Sequence, residues 1–531
     1  MTSRMPEAEP VVTRAGELRE RFEDLVSYLE GIESGRAQGL PEFMEVEGRV
    51  RGFARTIECA ADARALAAYE FEDERVEVGG KVYQKMNQPT EATYYGQAGP
   101  FEVTHDLYRL TGVHNGPTIV PMELRAGVVE GLATPAAADA CCWLAQMVPS
   151  REAEVTTQRF GLLGLSRSSL ERLPKAVGQR WDVRRLEAED HLTATLEIPA
   201  EATAVAAGVD RFAVAMEEPK ERGPGRPRKD APKRPVEVNH RMAYGASLTF
   251  IDSAGKPLGT TRYARMAGEG ARASITGSVA GDLHALLTER PELKLATLGD
   301  GAKEVQDILD DATRGLAVDG QGVDFWHTVE KLGAAVAAAG RPVAEKVDAW
   351  CDRLLEDDHA IERIGNELRT WALNYEDVPQ PLHAAITYID NHADRMRYAS
   401  LRRAGLPIGS GHTEATGKTI YSTRMKRPGA RWKRPTGQAI ADLRALATST
   451  RWDDGMNFLL ATYRGQIKKA SGDGVLGPGA ASEGEPGDDE QDNSWDLATR
   501  TEAHSLSLLL LILTTVEKAQ LPRAVPRGRT R

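Results

Sequence analysis

Apolar residues near the N-terminus recur at three- and four-residue steps, the period of an amphipathic helix. The repeating positions are Leu18, Phe22, Leu25, Tyr28 and Leu29. They predict that residues 15–70 are mainly helical. Between residues 71 and 120 the pattern changes to alternating apolar and polar positions, and Gly79-Gly80 separates two such runs. This arrangement predicts a β-hairpin.

Residues 122–182 return to a helical pattern. Pro174 is predicted to end a short helix that begins at Ser166, since proline lacks the amide hydrogen that a helix interior needs. Basic residues lie on this helix or just beyond it, namely Arg167, Arg172 and Lys175. A turn followed by a basic helix is a candidate helix-turn-helix that docks in a DNA major groove. The pattern alone favours the alternative, an ordinary helical hairpin.

From residue 190 onward the pattern predicts strands alternating with helices, and therefore an α/β core. Predicted strands lie at 193–198, 212–216, 242–251 and 293–298, and predicted helices at 302–309 and 325–339. Residues 341–400 are predicted to be helical, with an apolar stripe that includes Trp350, Leu354, Ile361 and Leu368. Residues 466–495 are rich in glycine, serine and acids, which predicts a linker.

Composition limits the cellular setting. The chain has 531 residues and four cysteines without a CxxC pair, which argues against a zinc ribbon and fits a reducing cytosol. The N-terminus lacks the apolar core of a secretory signal. The longest apolar run, 506–516, is too short to cross a bilayer and predicts a buried helix. We therefore expect a soluble cytoplasmic protein without membrane contact.

Charge is distributed unevenly. The net charge of −11 argues, as an average, against a polyanionic partner. Residues 220–234 nevertheless carry +5 and residues 402–434 carry +8, so the remainder carries −24. The segment 225–229 is similar to an AT-hook, whose arginines enter a narrow minor groove. A solvated basic loop is the alternative, and it is favoured because so short a match is common.

The second basic segment contains one acid. Gly409-Ser410-Gly411 precedes Glu414, and such a loop can begin a helix while letting a backbone or a phosphate approach closely. A lone carboxylate among nine cations is expected either to be salt-bridged or to hold a metal ion. Pairing with Lys418, four residues further along the helix, is the structural alternative.

A series of short motifs follows in order along residues 200–460. They are 210–219, 242–244, 262–263, 298–302, 323–327 with 330–332, 395–398, 408–411, Glu414, Lys426, Trp432 and 443–445. Together they resemble the catalytic part of DDE transposases of the ISKra insertion-sequence family. The spacing Asp324-x-x-His327 resembles a motif of the wider Mutator-like group.

The resemblance implies a ribonuclease H-like core, a mixed sheet flanked by helices, and a helical insertion at 328–400. It implies that Asp210, Asp300 and Glu414 are catalytic and hold two Mg²⁺ ions, with Mn²⁺ as a substitute and Asp210 as the bridging ligand. Two ions about 3.5–4 Å apart serve the attacking and the leaving oxygen of a phosphodiester. Asp324 and His327 are further catalytic candidates, and the alternative is that Asp324 only caps a helix.

The resemblance also implies contacts with double-stranded DNA, both the terminal repeats of the element and the target. Candidate DNA-binding residues are Arg226, Arg228, Lys229, Lys418, Arg424, Lys426, Arg427, Arg431, Trp432 and Lys433. Trp432 would stack on an unpaired base or, equally, anchor the core. Many relatives carry paired cysteines ahead of the core; residues 70–110 have none, so no zinc is expected. Joining two DNA ends implies a homo-oligomer, acting in the bacterial cytoplasm at the nucleoid.

The leading hypothesis is therefore a DNA transposase that cleaves element ends and transfers strands into target DNA. The alternatives are an inactive or domesticated DNA-binding relative and a ribonuclease H-like nuclease that cuts without joining.

The predicted domains are 1–120, a helical plus small β region; 121–190, the candidate helix-turn-helix; 191–327, the first part of the core; 328–400, the insertion; 401–465, the C-terminal part of the core; 466–495, the disordered linker; and 496–531, a C-terminal helix and basic tail.

Overall fold

A computed structural model describes residues 13–220 and 236–470, all within one compact unit, Met1–Ala470. Three predictions lie outside the described residues. They are the AT-hook-like segment with Arg226, Arg228 and Lys229, residues 471–495 of the predicted linker 466–495, and the predicted C-terminal helix and tail at 496–531. None of the helices in the described ranges combines the length and the apolar character that a membrane span needs.

The N-terminal region has two long helices followed by short strands, as predicted. Its elements are β1 (Thr13–Arg14), α1 (Leu18–Ser34), α2 (Phe43–Ala67), β2 (Arg75–Val78), β3 (Lys81–Lys85), β4 (Thr90–Tyr95), β5 (Pro100–His105), β6 (Tyr108–Leu110) and β7 (Thr118–Ile119). The predicted hairpin is present, with Val78 opposite Lys81. Gly79 and Gly80 have φ of +58° and +72°, the left-handed pair that a two-residue hairpin turn requires.

A group of helices follows. They are α3 (Pro121–Ala126), α4 (Pro135–Met147), α5 (Ser150–Phe160), α6 (Arg167–Val183) and α7 (Arg185–Ala194). The predicted end of a helix at Pro174 is wrong, because α6 continues through this residue. Pro174 cannot donate to the carbonyl of Leu170, and the Cys141 thiol of α4 donates to that carbonyl instead, at 3.9 Å.

The strand predicted at 193–198 is also wrong, since α7 extends to Ala194. Ala188 and Leu192, one helical turn apart, are both buried, so the helical period decides the local structure. In the candidate helix-turn-helix, α6 packs against α4 and α5, and Arg167 and Arg172 are exposed. Its binding to DNA remains a prediction.

The centre of the fold is a mixed five-stranded sheet with helices between its strands. Its elements in chain order are β8 (Ala204–Pro219), β9 (Val236–Ile251), β10 (Pro257–Arg265), α8 (Ala271–Glu289), β11 (Lys294–Gly299), α9 (Lys303–Ala312) and β12 (Gly320–Val323). The strands are ordered β10-β9-β8-β11-β12. The pairs β10-β9 and β9-β8 are antiparallel, whereas β8-β11 and β11-β12 are parallel. The predicted α/β class is confirmed.

The remaining elements are mainly helical. They are α10 (Phe325–Ala338), α11 (Val343–Glu356), α12 (Ala360–Ala372), α13 (Gln380–His392), α14 (Tyr398–Arg403), α15 (Gly411–Thr416), a π-helical turn (Gly417–Ser422), α16 (Arg434–Thr448), α17 (Trp452–Ala461) and β13 (Ile467–Lys469). The predicted stripe with Trp350 and Leu368 is buried. The prediction of a linker at 466–495 is wrong for its first residues, because β13 pairs with β2 in a second five-stranded sheet, ordered β13-β2-β3-β6-β7.

The two faces of the central sheet are covered by different helices. Val205, Ala207 and Val209 of β8 belong to a core shared with α8 and α9. Ala204 and Ala206 belong to a core shared with α10 and the helices after it. Because side chains alternate along a strand, Gly208 and Asp210 lie on the second face. Asp210 therefore lies on the face of the sheet that packs against α10 and the helices after it.

Candidate active site

Strand register aligns three aspartates at one edge of the sheet. Leu298 of β11 lies opposite Gly208 of β8, so Asp300 follows at the level of Asp210. Gly299 lies opposite Val323 of β12, so Asp324 follows at the level of Asp300. The Asp324 amide donates to the carbonyl of Gly299 at 2.9 Å, which continues the pairing by one step. The fold thus brings together acids that are far apart in the sequence.

Glu414 reaches this edge because α15 packs directly on β8 and β9. A Cβ atom at Gly208 would lie 2.0 Å from Oγ1 of Thr413, so only glycine lets the helix come this close. The Thr413 hydroxyl also hydrogen-bonds that of Ser247 on β9, at 2.9 Å. Glu414, the next residue, lies in the first turn of α15 and is half-buried. The close packing of Gly208 and Thr413 therefore sets the position of the Glu414 carboxylate.

Asp324 is fully buried, and both of its carboxylate oxygens are occupied by donors. Its Oδ1 accepts the His327 amide at 2.8 Å and so caps α10, as the structural alternative predicted. Its Oδ2 accepts the amide and the hydroxyl of Ser410, at 2.5 and 2.8 Å. Burial alone would raise the pKa of Asp324, but these hydrogen bonds lower the pKa below its usual value. Asp324 is thus an ionised anchor for the loop that leads to Glu414.

His327 and Glu414 lie next to this anchor. Nδ1 of His327 is 3.1 Å from Oδ1 of Asp324, although the two atoms lack the geometry of a hydrogen bond. Ligand atoms of Asp324, His327 and Glu414 all lie within 4.8 Å of one another. Within residues 13–220 and 236–470, no other group of three histidines, cysteines or acids meets this distance. Asp210 and Asp300 are outside this closest group.

The electrostatics of Asp210 connect it to the same site. Burial raises the pKa of its carboxyl, and the backbone amide of Arg211, 2.6 Å away, opposes that rise. The charges of Asp300 and Glu414 also raise the pKa of Asp210, whereas His327 lowers it. In the described part of the chain, neither Asp210 nor Asp300 forms an ion pair with a lysine or arginine. The site is therefore a concentration of negative charge.

Two neighbours of the site were not assigned a role from the sequence. Tyr388 of α13 donates a hydrogen bond from its hydroxyl to the carbonyl of Asp300, at 3.0 Å. Thr413 fills the space above Gly208. The sequence held no signal for either contact, because both depend on which helix packs on which strand.

The predicted DNA-binding residues that the structure describes differ in their exposure to solvent. Four are exposed, namely Lys418, Lys426, Arg431 and Lys433. Lys418 is near Glu414, with Nζ 3.7 Å from Oε2, which is the pairing that the structural alternative predicted. Arg427 is less exposed and pairs with Glu152 at 2.6 Å.

Arg424 and Trp432 are buried, and here the structure corrects the prediction of DNA contacts. The Arg424 guanidinium donates to the carbonyl of Ala145 at 3.0 Å and lies 5.1 Å from the centre of the Trp432 ring. Burial lowers the pKa of Arg424 to about 10. The Trp432 indole donates to the carbonyl of Met425 at 3.0 Å. Both side chains anchor the core, which for Trp432 was the stated alternative.

Comparisons with known proteins give distant similarities. No protein-family model matches the chain, and no curated protein matches it. The structure is similar to a "Drosophila P element transposase strand transfer complex", with 13% identity, 62% of this chain and 83% of that chain covered, and a TM-score of 0.22. It is also similar to a "Mos1 transposase paired-end complex with left transposon end", with 12% identity, 50% and 77% covered, and a TM-score of 0.13.

Proposed function

We propose that this chain is a DDE-type DNA transposase of the ISKra type, built on a ribonuclease H-like core. One observation carries the proposal: Asp210 and Asp300 occupy matched positions on neighbouring parallel strands, and α15 brings Glu414 onto the same face. The ordered motifs of the sequence resemblance support the same assignment. The reaction is cleavage at the ends of the element, followed by transfer of the freed strand into target DNA.

Asp210, Asp300 and Glu414 would hold Mg²⁺, or Mn²⁺ in its place. Their donor chemistry fits, because Mg²⁺ prefers hard oxygen ligands, and no basic side chain in the described ranges neutralises Asp210 or Asp300 through an ion pair. When bound, the ions supply an activated attacking oxygen and a stabilised leaving oxygen.

The protein's own residues supply orientation. Asp324 holds the Ser410 loop, and with it Glu414, against the edge of the sheet through hydrogen bonds that are already formed in the free protein. Such preorganisation lowers the reorganisation that the reaction would otherwise require. His327, partly exposed beside Glu414, provides a hydrogen-bond donor for the scissile strand. These assignments make Asp324 a positioning residue rather than a metal ligand.

DNA binding is assigned to the exposed cations around Trp432. Lys426, Arg431 and Lys433 lie close to one another in the chain and are open to solvent, so they can contact phosphates. Because two element ends must be joined, the active form is a homo-oligomer on double-stranded DNA.

The test is a Mg²⁺-dependent cleavage and strand-transfer assay on DNA that carries the element ends. Asp210→Asn, Asp300→Asn and Glu414→Gln should each reduce both steps by at least about 100-fold, the scale on which a single group that acts in the transition state contributes. Asp310→Asn, which changes an exposed acid of α9, is the matched control and should react normally.

Each failure has a distinct meaning. Cleavage without joining would favour the nuclease alternative, and end binding without cleavage would favour an inactive relative. If any of the three variants joined DNA at a near-normal rate, the assignment of that residue would be wrong.

A further inference from the structure

A second polar site lies away from the proposed active site, where α6, α7, α8 and α16 meet β10. It surrounds a cavity of about 40 Å³. The charged side chains that line it are four arginines and three acids: Arg185, Arg262, Arg265, Arg451, Glu189, Asp282 and Asp442. Buried charges are normally paired, so an excess of one arginine needs an explanation.

Each of the three acids already has hydrogen-bond donors. Each of their six carboxylate oxygens accepts at least one hydrogen bond. The donors are Thr193, Tyr263 and Arg451 for Asp282, Arg265 and Ser278 for Glu189, and Arg185 and Gln438 for Asp442. The carboxylates that line the cavity therefore offer no oxygen without a donor.

Donors, in contrast, are left over. Four buried N–H groups on residues that line the cavity have no acceptor among the described residues. They are Nε1 of Trp181, Nε of Arg262, and Nε and Nη2 of Arg451. A buried donor without an acceptor costs about 1–3 kcal/mol, so four of them around one cavity indicate a missing acceptor.

Arg262 is the cation without a carboxylate partner. Its Nη1 donates only to the backbone carbonyls of Thr260 and Thr448, the latter at the end of α16. Burial lowers the pKa of Arg262, as expected for a cation that has lost water without gaining an anion. Asp182 adds a pair with Arg185, at 2.8 Å, but its side chain is mostly exposed and solvent screens it. The unpaired positive charge of the cavity is therefore that of Arg262.

We propose that this cavity binds one small monovalent anion, chloride under cellular conditions. An anion can accept hydrogen bonds from several N–H groups and donates no hydrogen bond itself. This matches a cavity with four N–H groups that lack an acceptor and with no carboxylate oxygen that lacks a donor. A water molecule would have to donate two hydrogens as well. The cavity has room for one such ion, because about 10–15 Å³ of such space is enough to hold a water molecule. The anion would neutralise Arg262 and join α6 to the turn that follows α16.

The experiment is thermal unfolding of the full chain as sodium gluconate is replaced by sodium chloride at constant ionic strength. We expect a saturable rise in Tm of roughly 2 °C, since a ligand that binds only the folded state stabilises it. Arg262→Gln removes the excess charge and should abolish the rise. Arg272→Gln, an exposed arginine of α8 whose partners are Asp307 and Asp311, is the matched control and should retain it.

The proposal would be wrong if Tm were equal in chloride and gluconate, or if chloride raised the Tm of Arg262→Gln as much as that of the wild type. Either result would indicate that the cavity holds water and no anion. If Arg262→Gln does not fold, Trp181→Phe removes one of the four donors without changing charge and should weaken the chloride dependence. Crystals of the unaltered protein soaked in bromide give a direct readout. Anomalous density in the cavity supports the anion, and its absence at saturating bromide rejects it.

Discussion

Asp324 Oδ2 accepts hydrogen bonds from both the amide and the hydroxyl of Ser410, although 86 residues separate the two in the sequence. The same carboxylate caps α10 through the amide of His327. One buried anion therefore fixes both His327 and the loop that leads to Glu414. The position of Glu414 depends on a residue outside its own helix.

Asp324→Asn should destabilise the protein by about 1–3 kcal/mol and reduce DNA cleavage. An asparagine amide has one acceptor oxygen, so its NH₂ group would face either Ser410 or His327, whose N–H donors would then be unsatisfied. Ser410→Ala loses only the hydroxyl bond and should cost about 1 kcal/mol. Urea unfolding and the cleavage rate measure both variants. Wild-type stability of Asp324→Asn would contradict the anchoring role.

Gly208→Ala should displace α15 and lower cleavage strongly while DNA affinity is retained. The new Cβ would lie 2.0 Å from Oγ1 of Thr413, so one of the two elements must move. Adding Thr413→Ala removes that oxygen and should restore part of the activity, a coupling that a double-mutant cycle measures. Gly277→Ala on α8, where a Cβ meets nothing within 4 Å, is the matched control. Additive effects of the two changes would argue against direct contact.

Asp139→Asn should stabilise the protein at pH 8 by about 2 kcal/mol and give no gain at pH 4. Burial raises the pKa of Asp139 to about 6, above the value of about 3.9 in an unfolded chain. In the folded state Asp139 therefore keeps its proton to a higher pH than in the unfolded chain. As a result, the free energy of unfolding falls as pH rises from 4 through 6. Asparagine stays neutral, and its side-chain oxygen can still accept the hydrogen bond that the Trp452 indole donates to Oδ1 of Asp139 at 2.9 Å. Tm measured at both pH values tests this, and equal gains would refute it.

The triple change Lys426→Gln, Arg431→Gln and Lys433→Gln should weaken DNA binding and flatten its dependence on salt. Each phosphate contact contributes about 0.9 to the slope of log K against log salt concentration, so the slope should fall by up to about 3. Arg363→Gln, an exposed arginine of α12 paired with Asp357, should leave the slope unchanged. Fluorescence anisotropy over a range of salt concentrations provides the measurement. An unchanged slope in the triple variant would show that these three residues do not contact DNA phosphates.

Local patterns predicted those parts of the fold that local chemistry decides. The Gly79-Gly80 turn and the stripe around Trp350 need only neighbouring residues, and both are present. The helix through Pro174 was missed because the compensating donor, Cys141, comes from another helix. Strand β13 was also missed, because its partner strand β2 lies near the other end of the described chain.

The candidate site shows the same division. Asp210 and Asp300 were chosen from motifs, but their alignment depends on strand register, which no local pattern contains. Arg424 was assigned to DNA because a cation in a basic segment is normally exposed, whereas its guanidinium is buried beside Trp432. The need for glycine at 208 was also missed, since only the packing of α15 reveals it.

The pairing of β13 with β2 affects how the chain can fold during synthesis. β2 leaves the ribosome early, but its neighbour on one side, β13, follows only after the central sheet and helices α10 to α17 have been made. Until then β2 is an open edge strand, with a row of unpaired amides and carbonyls next to the apolar side chain of Val76. The nascent N-terminal sheet must therefore remain incomplete for most of translation, a period in which chaperone binding at that edge would protect it from pairing with other chains.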